Sequence, residues 1–103
     1  MNNSKVYSLE EIKKLLYPIF ISNAVYKAVL FGSYAKGLAT NNSDIDIVID
    51  SKGELLNINF YGLLEEITER LSKSVDLFEI SEIAKGSPIY DEIQEQGVLL
   101  YAK

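Results

Sequence analysis

The segment from Asp44 to Asp50 constrains the fold most strongly, because acidic and aliphatic residues alternate at its start. Successive side chains of a β-strand point to opposite faces, so a strand here places Asp44 and Asp46 on one face. The opposite face is aliphatic and consists of Ile45, Ile47 and Ile49. Such a face has to be buried, which predicts a strand within a sheet that is covered by helices.

The segments on either side supply those helices and further strands. Ser8 and Glu11 have the spacing of a capping box, which marks the start of an amphipathic helix. Pro18 lacks a backbone N–H, so we expect this helix to end or bend near it. In total, the pattern predicts helices over 8–20, 60–72 and 88–95, strands over 25–31, 44–50, 75–80 and 98–101, and a helical turn within the loop 32–43. This order predicts an α/β (α+β) fold, a small mixed β-sheet with helices packed on it.

Composition limits the chemistry of the chain. The 103 residues include no cysteine and no histidine, which excludes a thiolate nucleophile, a cysteine zinc site and an imidazole base. Any metal must be held by oxygen atoms, which favours Mg²⁺, Mn²⁺ or Ca²⁺. The net charge of −5 opposes binding to phosphate backbones, so we expect no direct, stable nucleic-acid binding. The length predicts one domain, 1–103, and the polar N-terminus and short apolar runs predict a cytoplasmic protein without membrane contact.

The predicted site combines a Gly-Ser turn with two carboxylates. Gly32 and Ser33 follow the first predicted strand, and ten residues separate them from Asp44-Ile45-Asp46. A glycine-serine turn brings backbone N–H groups and a hydroxyl close to a phosphate. The two aspartates can bind one divalent cation, or two cations about 3.5–4 Å apart. Together these groups predict a site that transfers part of a nucleoside triphosphate.

The same residues resemble a known family. The segment Phe31–Gly37 followed by Ser43–Asp46 is similar to the G-S-x10-D-x-D signature of the polymerase-β-like nucleotidyltransferases. More narrowly, it resembles the minimal nucleotidyltransferases (MNT) that act as antitoxins of HEPN proteins. The resemblance implies that Asp44 and Asp46 bind two Mg²⁺ ions, with Mn²⁺ as a substitute. It also implies that Asp76 is the third metal-binding carboxylate and helps to activate the attacking hydroxyl.

The resemblance further implies that the Gly-Ser turn binds the nucleotide. Gly32 and Ser33 would hold the β- and γ-phosphates of ATP, with Lys36 and Ser43 as further nucleotide-binding residues. From the residues alone, Lys36 could equally face phosphate or solvent. Many relatives carry arginine where this chain has Tyr34, and lysine offers a point charge rather than a bidentate contact.

The implied function is the Mg²⁺-dependent transfer of AMP from ATP to a hydroxyl, expected on a tyrosine, of a partner HEPN RNase toxin. The chain would then be that toxin's antitoxin. Two alternatives stay open at this point. The chain could mask the toxin by binding without catalysis, or it could nucleotidylate a small molecule.

Overall fold

A computed structural model describes residues 4–103 of the chain. Helices and strands follow one another along the chain, with a 3₁₀ turn at Ile80–Glu82. The helices are α1 (Leu9–Ile21), α2 (Ser33–Lys36), α3 (Ile58–Leu71) and α4 (Pro88–Gln96). The strands are β1 (Lys27–Phe31), β2 (Ile45–Asp50), β3 (Val75–Glu79) and β4 (Val98–Ala102).

The strands form one mixed sheet in the order β3-β2-β1-β4. Strand β1 is antiparallel to both of its neighbours, β2 and β4, whereas β2 and β3 are parallel. The parallel pair requires a crossover, which α3 provides between β2 and β3. The predicted fold, a small mixed sheet with helices packed on it, is therefore confirmed.

The alternation in β2 separates two apolar clusters, one on each face of the sheet. Ile45, Ile47 and Ile49 are buried in the main core, together with side chains of α1 and α3. On the opposite face, Val48 packs with Phe31 of β1 and with α4. Asp46 belongs to this second face, which is covered by α4 and by the 3₁₀ turn that follows β3.

Helix α1 begins as predicted but ends later. The Ser8 hydroxyl accepts from the Glu11 N–H at 3.1 Å, and Glu11 accepts from the Ser8 N–H at 2.8 Å, so the capping box is formed. The helix ends at Ile21, three residues after Pro18 and one residue beyond the predicted range, which agrees with an end near the proline. Ile19 and Phe20 are buried in the core, and this burial holds the last turn despite the exposed proline.

The other boundaries deviate by a few residues. Helix α3 begins at Ile58, two residues before the predicted start, and β1 begins at Lys27 rather than at residue 25. Strand β2 begins at Ile45, so Asp44 lies immediately before it instead of within it. No helix among residues 4–103 is long and apolar enough to cross a membrane.

Candidate active site

The candidate site lies where β1 ends and β2 and β3 begin. Phe31, the last residue of β1, is paired with Asp46 across the antiparallel ladder. Asp46 is in turn paired with Asp76 across the parallel ladder. Gly32 follows Phe31 directly and is the N-cap of α2. The sheet register therefore brings the Gly-Ser turn and two of the three predicted carboxylates to one place.

Gly32 is required by the position of Asp46. Its φ of +76° lies in the left-handed region that residues with a Cβ rarely adopt. A Cβ built on Gly32 would lie 2.2 Å from Oδ2 of Asp46, which is far inside the van der Waals distance. The backbone of the turn thus lies directly against the carboxylate, and any side chain at position 32 would displace Asp46.

Asp46 lies in an electrostatically unfavourable environment. The pKa of Asp46 is raised to about 6, mainly by burial and next by a hydrogen bond that its protonated carboxyl donates to Asp76. The negative charges of Asp76, Asp44 and Glu92 contribute to the same shift. Such a group of acids becomes stable when a cation neutralises it.

The donor set fits a hard divalent cation in its chemistry. Asp44, Asp46 and Asp76 offer carboxylate oxygens, and the raised pKa of Asp46 reflects burial and nearby negative charges, which a cation would offset. Asp44 and Asp76 are exposed, so their side chains can rotate towards an ion. Among residues 4–103, however, no group of three acidic side chains already forms a metal-binding cluster. The ligand set remains a prediction.

Glu92 is a member of the site that sequence reasoning missed. Its Oε2 accepts a hydrogen bond from the backbone N–H of Gly32 at 3.0 Å. The same oxygen lies 3.5 Å from Nζ of Lys36, with which Glu92 forms an ion pair. In the described structure, the Gly32 N–H and Lys36 therefore contact an anionic oxygen that belongs to α4.

Ser43 and Asp44 line a polar depression of about 220 Å³ at the start of β2. Lys73 also lines it, and this buried lysine, which sequence reasoning missed, donates to the carbonyl of Asn41 at 3.2 Å. The Ser43 hydroxyl accepts from the N–H of Thr40 at 2.9 Å and so braces the loop before Asp44.

The predicted site residues therefore fall into two adjacent groups. Gly32 and Lys36 contact Glu92, with Ser33 next to Gly32 and the paired Asp46 and Asp76 beside the turn, whereas Ser43 and Asp44 border the depression next to Lys73. Asp44 connects the groups because its charge acts on Asp46. Lys73 had a weak sequence signal, a lysine two positions before a strand whose second residue is a site acid. Glu92 had none, since it resembles any acid on a helix surface.

Comparison with protein families supports these observations. Residues 10–103 match the family model described as Polymerase beta, Nucleotidyltransferase. A protein of Methanocaldococcus jannaschii assigned as a protein adenylyltransferase is 35% identical over 77 residues, which are 74% of this chain and 82% of that protein. Protein adenylyltransferase MntA of Shewanella oneidensis is 39% identical over 72 residues, 70% of this chain but only half of MntA.

Solved structures give the same result for the fold. A chain in a crystal structure of a toxin–antitoxin with AMP-PNP superposes with a TM-score of 0.76 and 26% identity, over 88% of this chain and 73% of that one. A chain in the complex of tri-AMPylated Shewanella oneidensis HEPN toxin with its MNT antitoxin superposes with a TM-score of 0.71. That match covers 92% of this chain and 73% of the other at 22% identity, and supports the fold alone.

Proposed function

Because the chain belongs to the polymerase-β nucleotidyltransferase family, we propose that it transfers AMP from ATP to a tyrosine hydroxyl of a HEPN toxin and thereby acts as its antitoxin. The observation that carries the proposal is the contact of the Asp46 carboxylate with the Gly32 backbone, beside Asp76 on the next strand. This geometry puts an anion-binding turn and a carboxylate pair against each other.

In the proposed reaction, the acceptor oxygen forms a bond to the α-phosphorus while the bond from that phosphorus to the β-phosphate oxygen breaks. The acceptor loses its proton, and pyrophosphate leaves. Gly32, Ser33 and Lys36 hold the phosphates in this account, with Ser43 as a further nucleotide contact. Asp76, which is exposed at the start of β3, receives the acceptor proton or orients the hydroxyl.

Asp44, Asp46 and Asp76 would hold the divalent ions, which we take to be two Mg²⁺. When bound, such ions neutralise phosphate charge and lower the pKa of a hydroxyl. Because carboxylates and ions would supply this chemistry, the site needs no histidine, and the chain has none.

The relatives support the choice of group and acceptor. Two similar proteins are described as protein adenylyltransferases, and the AMP-PNP complex and the AMPylated toxin complex contain chains of the same fold. Since this chain spans only half of MntA, its substrate and partner are proposals drawn from that likeness.

The test combines the purified chain, ATP labelled in the α-phosphate, Mg²⁺ and the proposed HEPN partner. We expect label on the HEPN protein with the wild-type chain and none with an Asp44→Asn, Asp46→Asn double variant. Asp50→Asn is the matched control, since it removes a carboxylate at the far end of β2 and should label normally.

Three outcomes would contradict the proposal. Equal labelling by the double variant would show that the reaction does not need the carboxylates of Asp44 and Asp46. Toxin neutralisation that survives in the double variant without any labelling by the wild type would favour the masking alternative. Label that appears on an added small-molecule alcohol, and not on the HEPN protein, would favour nucleotidylation of a small molecule.

A further inference from the structure

The phosphate-binding donors of the proposed site already hold an anion that belongs to the chain itself. Glu92 accepts from the Gly32 N–H at 3.0 Å and pairs with the Lys36 ammonium at 3.5 Å. Its side chain is 30% exposed, so the carboxylate is partly covered by the protein but still accessible to solvent. Both donors are groups that the proposed function assigns to the nucleotide.

The capping and packing of helix α4 restrict the position of the Glu92 carboxylate. The Ser87 hydroxyl caps its start by accepting from the Tyr90 N–H at 3.2 Å. Ile93, next to Glu92, is buried against Phe31 and Val48. At the end of the helix, a Cβ on Gly97 would lie 2.6 Å from Cγ1 of Val29, so helix and sheet are in close contact.

The position of Glu92 is electrostatically unfavourable for the neighbouring acids. The charge of Glu92 acts unfavourably on Asp46, as the charges of Asp44 and Asp76 do. Glu92 therefore adds a fourth carboxylate to an acidic site, and it is compensated by one backbone N–H and one lysine. An acid that served only to brace the turn could be replaced by a neutral glutamine without this repulsion.

We propose that Glu92 is an internal competitor of the nucleotide. It occupies the Gly32 N–H and Lys36 in the free protein, and the triphosphate displaces it on binding. This inference rests on the proposed function, because it needs a phosphate group at that turn. The Glu92 carboxylate then weakens nucleotide affinity in the free chain and retakes its donors when pyrophosphate leaves.

The experiment measures the dissociation constant of a non-hydrolysable ATP analogue with Mg²⁺ by calorimetry. Glu92→Gln keeps the shape of the side chain but removes its charge, so we expect the dissociation constant to fall about three- to tenfold. Glu95→Gln is the matched control, because it removes the same charge from an exposed position of the same helix. We expect it to change the constant less than about twofold.

A second readout concerns the Gly32 amide. Hydrogen exchange of this N–H should be slowed in the nucleotide-free wild type and faster in Glu92→Ala, with protection restored by the analogue. If Glu92→Gln binds the analogue no more tightly than the wild type and Glu95→Gln do, the inference is overturned. Glu92 would then only stabilise the turn. Failure of the wild type and of Glu92→Gln to bind any nucleotide would overturn the proposed function as well, which is a distinguishable result.

Discussion

Oδ2 of Asp46 lies 2.2 Å from the position that a Cβ on Gly32 would occupy. The glycine of the turn and the aspartate of β2 are thus in direct steric contact, although 13 residues lie between them in the sequence. A change at either residue should alter the other.

Gly32→Ala should therefore destabilise the chain and displace Asp46. The variant combines an unfavourable backbone at φ +76° with a steric clash, and we expect it to lose about 2–4 kcal/mol of unfolding free energy. Gly86→Ala is the control, because Gly86 has a φ of +82° but no atom within 4 Å of its Cβ. It should lose only about 1 kcal/mol. Urea unfolding of both variants measures the difference, and equal losses would contradict the steric argument.

Asp46 should make the stability of the metal-free chain depend on pH. Its pKa is raised from 3.8 to about 6 in the folded protein, so the folded state binds the proton more tightly than the unfolded state does. This contribution is fully present below about pH 4 and is lost as the pH rises through about 6. Asp46→Asn should consequently be the more stable protein above pH 6.

Thermal unfolding across pH 4–8 in the presence of a chelator checks this. Since the carboxyl is only half-buried, solvent screening limits the gain to roughly 1 kcal/mol, or about 4–8 °C at pH 7.5. The difference should shrink towards pH 4. A melting difference that stays constant with pH would refute the assignment of the shift to Asp46.

Asp76→Asn should slow the transfer and lower the pKa of Asp46. The variant removes the carboxylate that accepts a hydrogen bond from protonated Asp46, together with its charge. We expect the transfer rate to fall roughly 100-fold or more, while carbon-detected titration places the pKa of Asp46 below about 6. Asp91→Asn, an exposed acid of α4, should change neither quantity.

Glu79 should matter for stability and not for the site. This buried carboxylate accepts from the Ser51 hydroxyl at 2.8 Å and from the Ser51 N–H, at the end of β3 away from Asp76. Glu79→Ala leaves both donors without their acceptor and should cost about 2–3 kcal/mol. Nucleotide affinity of the folded protein should be unchanged. A large loss of affinity would mean that the two ends of the sheet are coupled.

Much of the fold could be predicted from local patterns. The Ser8–Glu11 box set the start of α1, the alternation in β2 separated the core face from the site face, and the predicted helix over 88–95 agrees with α4 to within one residue. Pro18 indicated the region in which α1 ends, but the last turn continues to Ile21 because Ile19 and Phe20 are buried, which no local rule about the proline N–H predicts.

The site was less accessible to such reasoning. Spacing alone pointed to Gly32, Asp44 and Asp46, because β1 and β2 are neighbours in sequence as well as in the sheet. Glu92 could not be found in this way, since its contact with Gly32 spans 60 positions and depends on how α4 packs over β1. No local pattern encodes that packing.

Mass spectrometry of the proposed HEPN partner after incubation with this chain, ATP and Mg²⁺ tests the proposed transfer. We expect a mass increase equal to one or more AMP groups, located on a tyrosine by peptide fragmentation, with the wild type and with Asp50→Asn. We expect an unchanged mass with the Asp44→Asn, Asp46→Asn double variant. An unmodified HEPN protein after incubation with the wild type, or the same modification with the double variant, would contradict it.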